Sequence, residues 1–220
     1  MLLAAEIVVF LGPSLSLDKA REMLEADFRP PAKRGDIYRA AREGARVICL
    51  IDGVFFQDCS VAHKEVLYAL EAGARVLGAS SMGALRASEL DAYGMEGVGM
   101  IYEAYRSGRL VSDDEVALTF DPFTFAPQSE PLVNIRFNLD LAWQNGVIDS
   151  AARERLLHCA SSLYFPERSY ERMLAAAKGL VEDEDLQAVS AFLEREKRDF
   201  KMEDAVCALQ RVRQMAYEMQ

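Results

Sequence analysis

GARVICLIDG at residues 44–53 returns as GARVLGASSMG at residues 73–83, and reading this pair decides the fold. In each copy a glycine able to end a helix precedes an apolar run too short to be a helix, closed by small or polar residues. The two Gly-Ala-Arg-Val copies start 29 residues apart, the length of one helix–strand unit. Working outward, EIVVFL at residues 6–11 runs into Gly12-Pro13-Ser14 and reads as another buried strand entering a turn. Strands that are apolar on both faces and alternate with helices imply a parallel sheet covered on both sides, with right-handed crossovers. The expected fold class is α/β.

Between these strands the pattern is helical. Ser16 can cap a helix with Asp18 in its first turn, and Arg29-Pro30-Pro31 ends that segment. Further helices are expected over about residues 35–43 and 59–72, each stopped by a glycine. From about residue 95 helix follows helix, interrupted by the acidic turn Ser112-Asp113-Asp114-Glu115 and by a Pro/Phe-rich passage from Asp121 to Pro131, a linker or a loop over a site. Residues 132–220 carry helix-period patterns without a convincing strand. The expected organisation is an α/β core over residues 1–125 and a mainly α-helical C-terminal subdomain over 126–220. That subdomain would cover one side of the core or form a homo-oligomer or partner interface.

Composition narrows the partners. The chain has 220 residues, 51% hydrophobic and 27% charged, which excludes a disordered or low-complexity protein. Twenty-five Lys and Arg against 35 Asp and Glu leave a net charge of −10, which works against a phosphate backbone as partner, so no nucleic acid is expected. Four cysteines lack CxxC spacing, so neither a zinc ribbon nor a disulfide scaffold is indicated and a reducing, cytoplasmic location is expected. Glu6 breaks the apolar start and no basic residue precedes it, so no signal peptide and no membrane span are expected. A phosphate-loop motif is absent, Gly94, Gly97 and Gly99 lack dinucleotide-loop spacing, and no cluster has metal-ligand spacing. No cofactor or metal is expected.

In an open parallel sheet the ligand crevice lies outside the carboxyl ends of the strands. Three such ends are legible: Gly12-Pro13-Ser14, Asp52-Gly53 and Ser80-Ser81. The third, Ala79-Ser80-Ser81-Met82-Gly83, has the small-x-Ser-x-Gly shape of a nucleophile elbow, with Ala79 in place of the first glycine. In that reading Ser81 is the nucleophile, the Met82 and Gly83 amides hold an oxyanion, and Ser14 and Ser80 line the crevice. In the plainer reading Ser81 only caps the helix Met82 to Leu90.

A base is required, and the chain has two histidines. His63 shares a helical stripe with Leu67 and Leu70, with Val66 nearby, and is expected to face inward as a neighbour of Ser81, or as an ordinary core histidine. Asp52 could orient its imidazole or simply form the Asp-Gly turn. Lys64 and Glu65 read as a solvated pair and Arg86 with Glu89 as a local ion pair. The functional alternative puts Lys64, Arg86 and Glu89 at the crevice, Arg86 anchoring a substrate carboxylate or carbonyl.

The run Ser81-Met82-Gly83-Ala84-Leu85-Arg86-Ala87-Ser88-Glu89-Leu90, preceded by Ala62-His63-Lys64-Glu65 and Phe10-Leu11-Gly12-Pro13-Ser14, resembles the TfuA-like family over roughly residues 7–120. The resemblance implies hydrolysis of the C-terminal thiocarboxylate of a ThiS-like sulfur carrier protein, giving sulfide that a YcaO protein installs in peptide backbone thioamides. It also implies YcaO and the carrier as partners. The alternative is a non-catalytic accessory protein that recruits a sulfur donor or carrier to YcaO. The chain departs from the family pattern at Ala62, where a Trp often stands, and at Leu118-Thr119-Phe120, where a His can occur; the second departure puts more weight on His63.

Overall fold

The structure is a computed structural model and describes residues 3–55 and 59–219. Met1 and Leu2, part of the N-terminal reading above, lie outside the described residues. Two compact units emerge, one formed by Met1–Asp113 together with Lys201–Gln220 and the other by Asp114–Phe200.

The first unit contains β1 (Ile7–Phe10), α1 (Leu17–Met23), β2 (Asp27–Arg29), α2 (Asp36–Arg42), β3 (Val47–Leu50), α3 (His63–Glu71), β4 (Arg75–Ala79), α4 (Met82–Leu90), β5 (Glu96–Val98) and α5 (Met100–Arg106). The strands form one sheet in the order β2-β1-β3-β4-β5, every pair parallel. The three strands read from the sequence form its centre, and every residue of β1 and β3 is buried, as a sheet covered on both faces requires. The edge strands β2 and β5 are additions to that reading. Asp27-Phe28-Arg29 and Glu96-Gly97-Val98 are short and only half buried, so neither leaves the apolar run that marks a covered strand.

The order places β1 beside β3 with β2 and β4 outside them, so the chain reverses its direction of travel across the sheet between β1 and β3. In doubly wound sheets the crevice for a ligand opens at that point, at the carboxyl ends.

The second unit contains α6 (Leu132–Gln144), α7 (Ser150–Ser162), α8 (Tyr170–Ala177) and α9 (Asp183–Glu196). Its core joins Leu132, Ile135, Leu139, Leu156, Met173, Val189 and Phe192, among others. Asp149 caps α7 by accepting from the Ala152 amide, and Ser169 caps α8 by accepting from the Arg172 amide. The fully buried Arg168 spends its donors on the Ala160 and Leu163 carbonyls and on Asp114. The passage at Asp121 is a hydrogen-bonded turn: its carboxylate accepts from the Phe123 and Thr124 amides and from the Thr124 hydroxyl.

The last helix, α10 (Phe200–Glu218), from Lys201 onward belongs to the first unit rather than to a subdomain running from residue 126 to the end. Ala205, Ala208, Leu209, Val212 and Met215 pack in one cluster with Val9, Val47, Cys49, Leu77 and Ala79. These strand residues alternate along their strands and therefore share one face of the sheet. The opposite face receives α4, close enough that a Cβ on Gly83 would stand 1.7 Å from the Leu50 carbonyl oxygen. α10 runs back along the sheet. Arg211 and Glu218 near its end form an ion-pair group with Arg75 and Glu96, the first residues of β4 and β5. Side-chain hydrogen bonds from Arg75 and Arg211 hold the Glu218 carboxyl below its usual range. At the other end, Asp204 accepts from the Met100 and Ile101 amides at 2.8 Å each.

Candidate active site

The carboxyl ends of β1, β3 and β4 carry a chain of polar groups enclosed in protein. Asp52, just past β3, accepts from the Gly12 and Ser14 amides at 2.8 and 3.1 Å and from the Ser14 hydroxyl at 2.7 Å. This stitches β3 to β1 at the point where the sheet order reverses. Ser80 Oγ lies 2.9 Å from Ser14 Oγ and 2.9 Å from the Lys201 carbonyl oxygen. Because Ser14 gives its own proton to Asp52, Ser80 is the donor to one of these two acceptors. Lys201 Nζ then donates to Ser81 Oγ at 3.0 Å. Ser14, Asp52, Ser80, Ser81 and Lys201 are each at most 3% exposed. Buried polar groups are costly unless partnered, and each has found a partner here.

The turn that delivers Ser81 is strained. Ser80 adopts φ +66°, in the left-handed region that a side chain disfavours. The Ser81 amide donates to the Ala79 carbonyl at 2.8 Å, closing a three-residue turn centred on Ser80. The tight strand-to-helix connection expected from the motif is present, with its strain one residue before Ser81. Ser81 makes no side-chain capping hydrogen bond to α4. Of the two expected oxyanion amides, that of Gly83 is engaged, donating to the Ile51 carbonyl at 3.2 Å. The Met82 amide meets no acceptor among the described residues, which leaves one donor at the start of α4.

His63 does not face inward. It is the first residue of α3, with its side chain half exposed, and its Nε2 lies 2.9 Å from Glu89 Oε2. The buried face of α3 is set by Glu65, Val66 and Ala69, so the stripe His63-Leu67-Leu70 falls on the flank of the helix. Asp52 cannot orient this imidazole with oxygens already committed to Gly12 and Ser14. Glu89 also accepts from Arg86 at 2.6 Å, and Arg86 Nε donates to the Val61 carbonyl at 2.8 Å, tying α4 to the entrance of α3. Lys64 is exposed. Glu65, read as one of a solvated pair, is buried and accepts from the Gly35 and Ala62 amides at 2.7 and 3.0 Å.

The candidate residues therefore fall into two groups. Ser14, Asp52, Ser80 and Ser81 come together at the strand ends, while His63, Arg86 and Glu89 form a second, partly exposed linkage. The residue sequence reasoning missed is Lys201. A signal for it existed: counting along α10, Lys201 precedes Ala205, Ala208 and Val212 by helical steps and so shares their buried stripe, an unusual place for a lysine.

The family model for TfuA-like protein matches residues 52–169, more than half of the chain. That match includes Asp52, His63, Ser81, Arg86 and Glu89, whereas Ser14 and Lys201 lie outside it. No curated protein sequence matches the chain.

Proposed function

The chain belongs to the TfuA-like family, and from that premise and the strand-end cluster we propose that it hydrolyses the C-terminal thiocarboxylate of a ThiS-like sulfur carrier protein, supplying sulfide for YcaO-dependent peptide backbone thioamidation. The observation that carries this reading is the position of Ser81, at the carboxyl end of β4 behind a strained turn and beside an amine. Ser81 Oγ attacks the thioacyl carbon. An O–C bond forms, the C–S bond breaks, and the proton lost by the hydroxyl leaves with sulfur as hydrosulfide. Water then cleaves the acyl-Ser81 ester, returning the serine and giving the carrier carboxylate with one proton released. The Met82 amide is the backbone donor available to the developing oxyanion.

One observation favours the rival reading, a non-catalytic protein that recruits the carrier or YcaO: Ser81 is 2% exposed. Sulfide release from a thiocarboxylated carrier separates the two. The hydrolase reading expects catalytic release by the wild-type protein and none by Ser81→Ala, with carrier binding retained. Equal release by both proteins removes Ser81 from the reaction, and wild-type release at the rate without protein favours the recruiter.

A further inference from the structure

We infer that a basic tract at the rim of the crevice, Lys33 and Arg34 continued by Arg39 and Arg42 of α2 and by Lys64 of α3, is the docking surface for an acidic protein whose C-terminal tail enters the site; this rests on the reading of the substrate as a sulfur carrier protein. The need for such a surface follows from burial. Ser14, Ser80 and Ser81 are enclosed in protein, so only a narrow, extended chain end can reach them. A few tail residues offer little area to bind, whereas specific protein complexes hide about 800 Å² on each partner. The body of the partner therefore rests on the rim.

The tract starts where the buried cluster ends. Pro31 closes over Gly12, where a Cβ would stand 2.4 Å from Pro31 Cγ. The Ala32 amide donates to the Asp52 carbonyl at 2.9 Å, and the Val54 amide donates to the Ala32 carbonyl at 3.0 Å. Lys33 and Arg34 follow directly, and both are exposed. The Gly35 amide donates to Glu65 Oε2 at 2.7 Å, which brings the exposed Lys64 beside them. Further out, Tyr38 and Tyr68 join α2 to α3 with ring centroids 4.6 Å apart, and Arg42 lies over the Tyr38 ring. Tyrosine and arginine are residues that protein interfaces concentrate.

Charge selects the occupant. Residues 33–42 hold four cations and one carboxylate, in a chain whose net charge is −10. The acids nearby are engaged: Glu65 is buried on the Gly35 and Ala62 amides, Glu43 accepts from Arg29, and Glu89 accepts from Arg86. Asp36, the one carboxylate of the stretch, accepts from the Lys33 amide and lies 3.5 Å from Arg39. The tract is a local positive field on a molecule that otherwise repels acidic proteins, so it steers one to the crevice. The same net charge works against a phosphate backbone, which leaves a protein as the occupant.

The test is binding of an acidic ThiS-like carrier, fluorescently labelled away from its tail, to wild type and to the triple reversal Lys33→Glu, Arg34→Glu, Lys64→Glu. Sulfide release is measured in parallel from the thiocarboxylated carrier and from a thiocarboxylated peptide of its tail alone. The reversal is expected to weaken carrier binding at least about 10-fold at low salt, and to lower kcat/KM for the carrier about 10-fold more than for the peptide. Wild-type affinity should fall between about 50 and 300 mM salt, and that of the reversal should stay flat. Reversal of Lys19, Arg21 and Arg213, exposed on α1 and α10, changes the net charge equally and should bind the carrier as wild type does. If the first reversal does not fold by circular dichroism, Lys33→Gln, Arg34→Gln, Lys64→Gln carries the same expectation in smaller measure. Wild-type affinity in the reversal, no binding to wild type, or equal losses in both reversals overturns the inference. So does binding of a DNA duplex or of phosphatidylserine vesicles that only the first reversal abolishes, since the tract would then serve another class of partner. Binding that depends on the tract without any sulfide release upholds the surface and rejects the hydrolase reading. Release from the carrier that is indifferent to the reversal does the opposite.

Discussion

Gly83 has no side chain because none fits: its Cβ would meet the Leu50 carbonyl oxygen and stand 3.3 Å from the Gly78 Cα. Gly83→Ala must push α4 off the sheet, and overpacking of this kind costs about 1–3 kcal/mol or more; thermal unfolding should show it as a lower midpoint. Asp52→Ala strands the Gly12 amide, the Ser14 amide and the Ser14 hydroxyl in the interior, where one unsatisfied buried group costs about 1–3 kcal/mol. A large loss of stability is expected there, measured by chemical denaturation, and Asp52→Asn should recover part of it. At this scale Ser81, Ser80, Ser14 and Asp52 were legible, because the ends of parallel strands can be located from apolar runs alone. The orientation of His63 was not. Helical period names which residues share a stripe, but the neighbours of α3 decide whether that stripe is the buried one.

Helix α10 is the element on which both the sheet and the site depend. Leu209→Ala opens the packing over Val9, Cys49 and Leu77 and should cost about 2–5 kcal/mol in unfolding free energy. Asp204 gives the same helix a pH signature. Burial pushes its carboxyl up to about 6, against the opposing effect of the Met100 and Ile101 amides. Because this folded value lies above the unfolded one, the native state holds the proton longer. The contribution to stability is complete below the unfolded value near 3.8 and is lost as pH rises through about 6. The thermal midpoint of the wild type should therefore fall, relative to Asp204→Asn, between about pH 4 and 6. Parallel curves for the two proteins would reject that role. The sequence identified α10 as an amphipathic helix but not its partner, since an apolar stripe has the same period whether it covers a sheet or other helices. The edge strands escaped for a related reason: three half-exposed residues carry no periodicity long enough to read.

For the whole molecule, the chain completes most of one unit, builds a second over Asp114–Phe200, and returns with α10 to finish the first. A single boundary near residue 125 was the natural reading of a change from alternating strands and helices to helices alone, because a returning helix leaves no local mark. The second unit has its own apolar core and its own capped helices. Residues 114–200 expressed alone are accordingly expected to give a helical spectrum with a cooperative unfolding transition. A non-cooperative melt would show that this core does not stand by itself. Ending the chain at residue 200 should instead destabilise the first unit, uncovering Val9, Cys49 and Leu77, and remove Lys201 from Ser81. The measurement that bears most directly on the account is the initial rate of sulfide release from a thiocarboxylated ThiS-like carrier by wild type and Ser81→Ala in parallel. The account predicts turnover by wild type alone, with Ser81→Ala at the rate without protein; turnover undiminished in Ser81→Ala would contradict it.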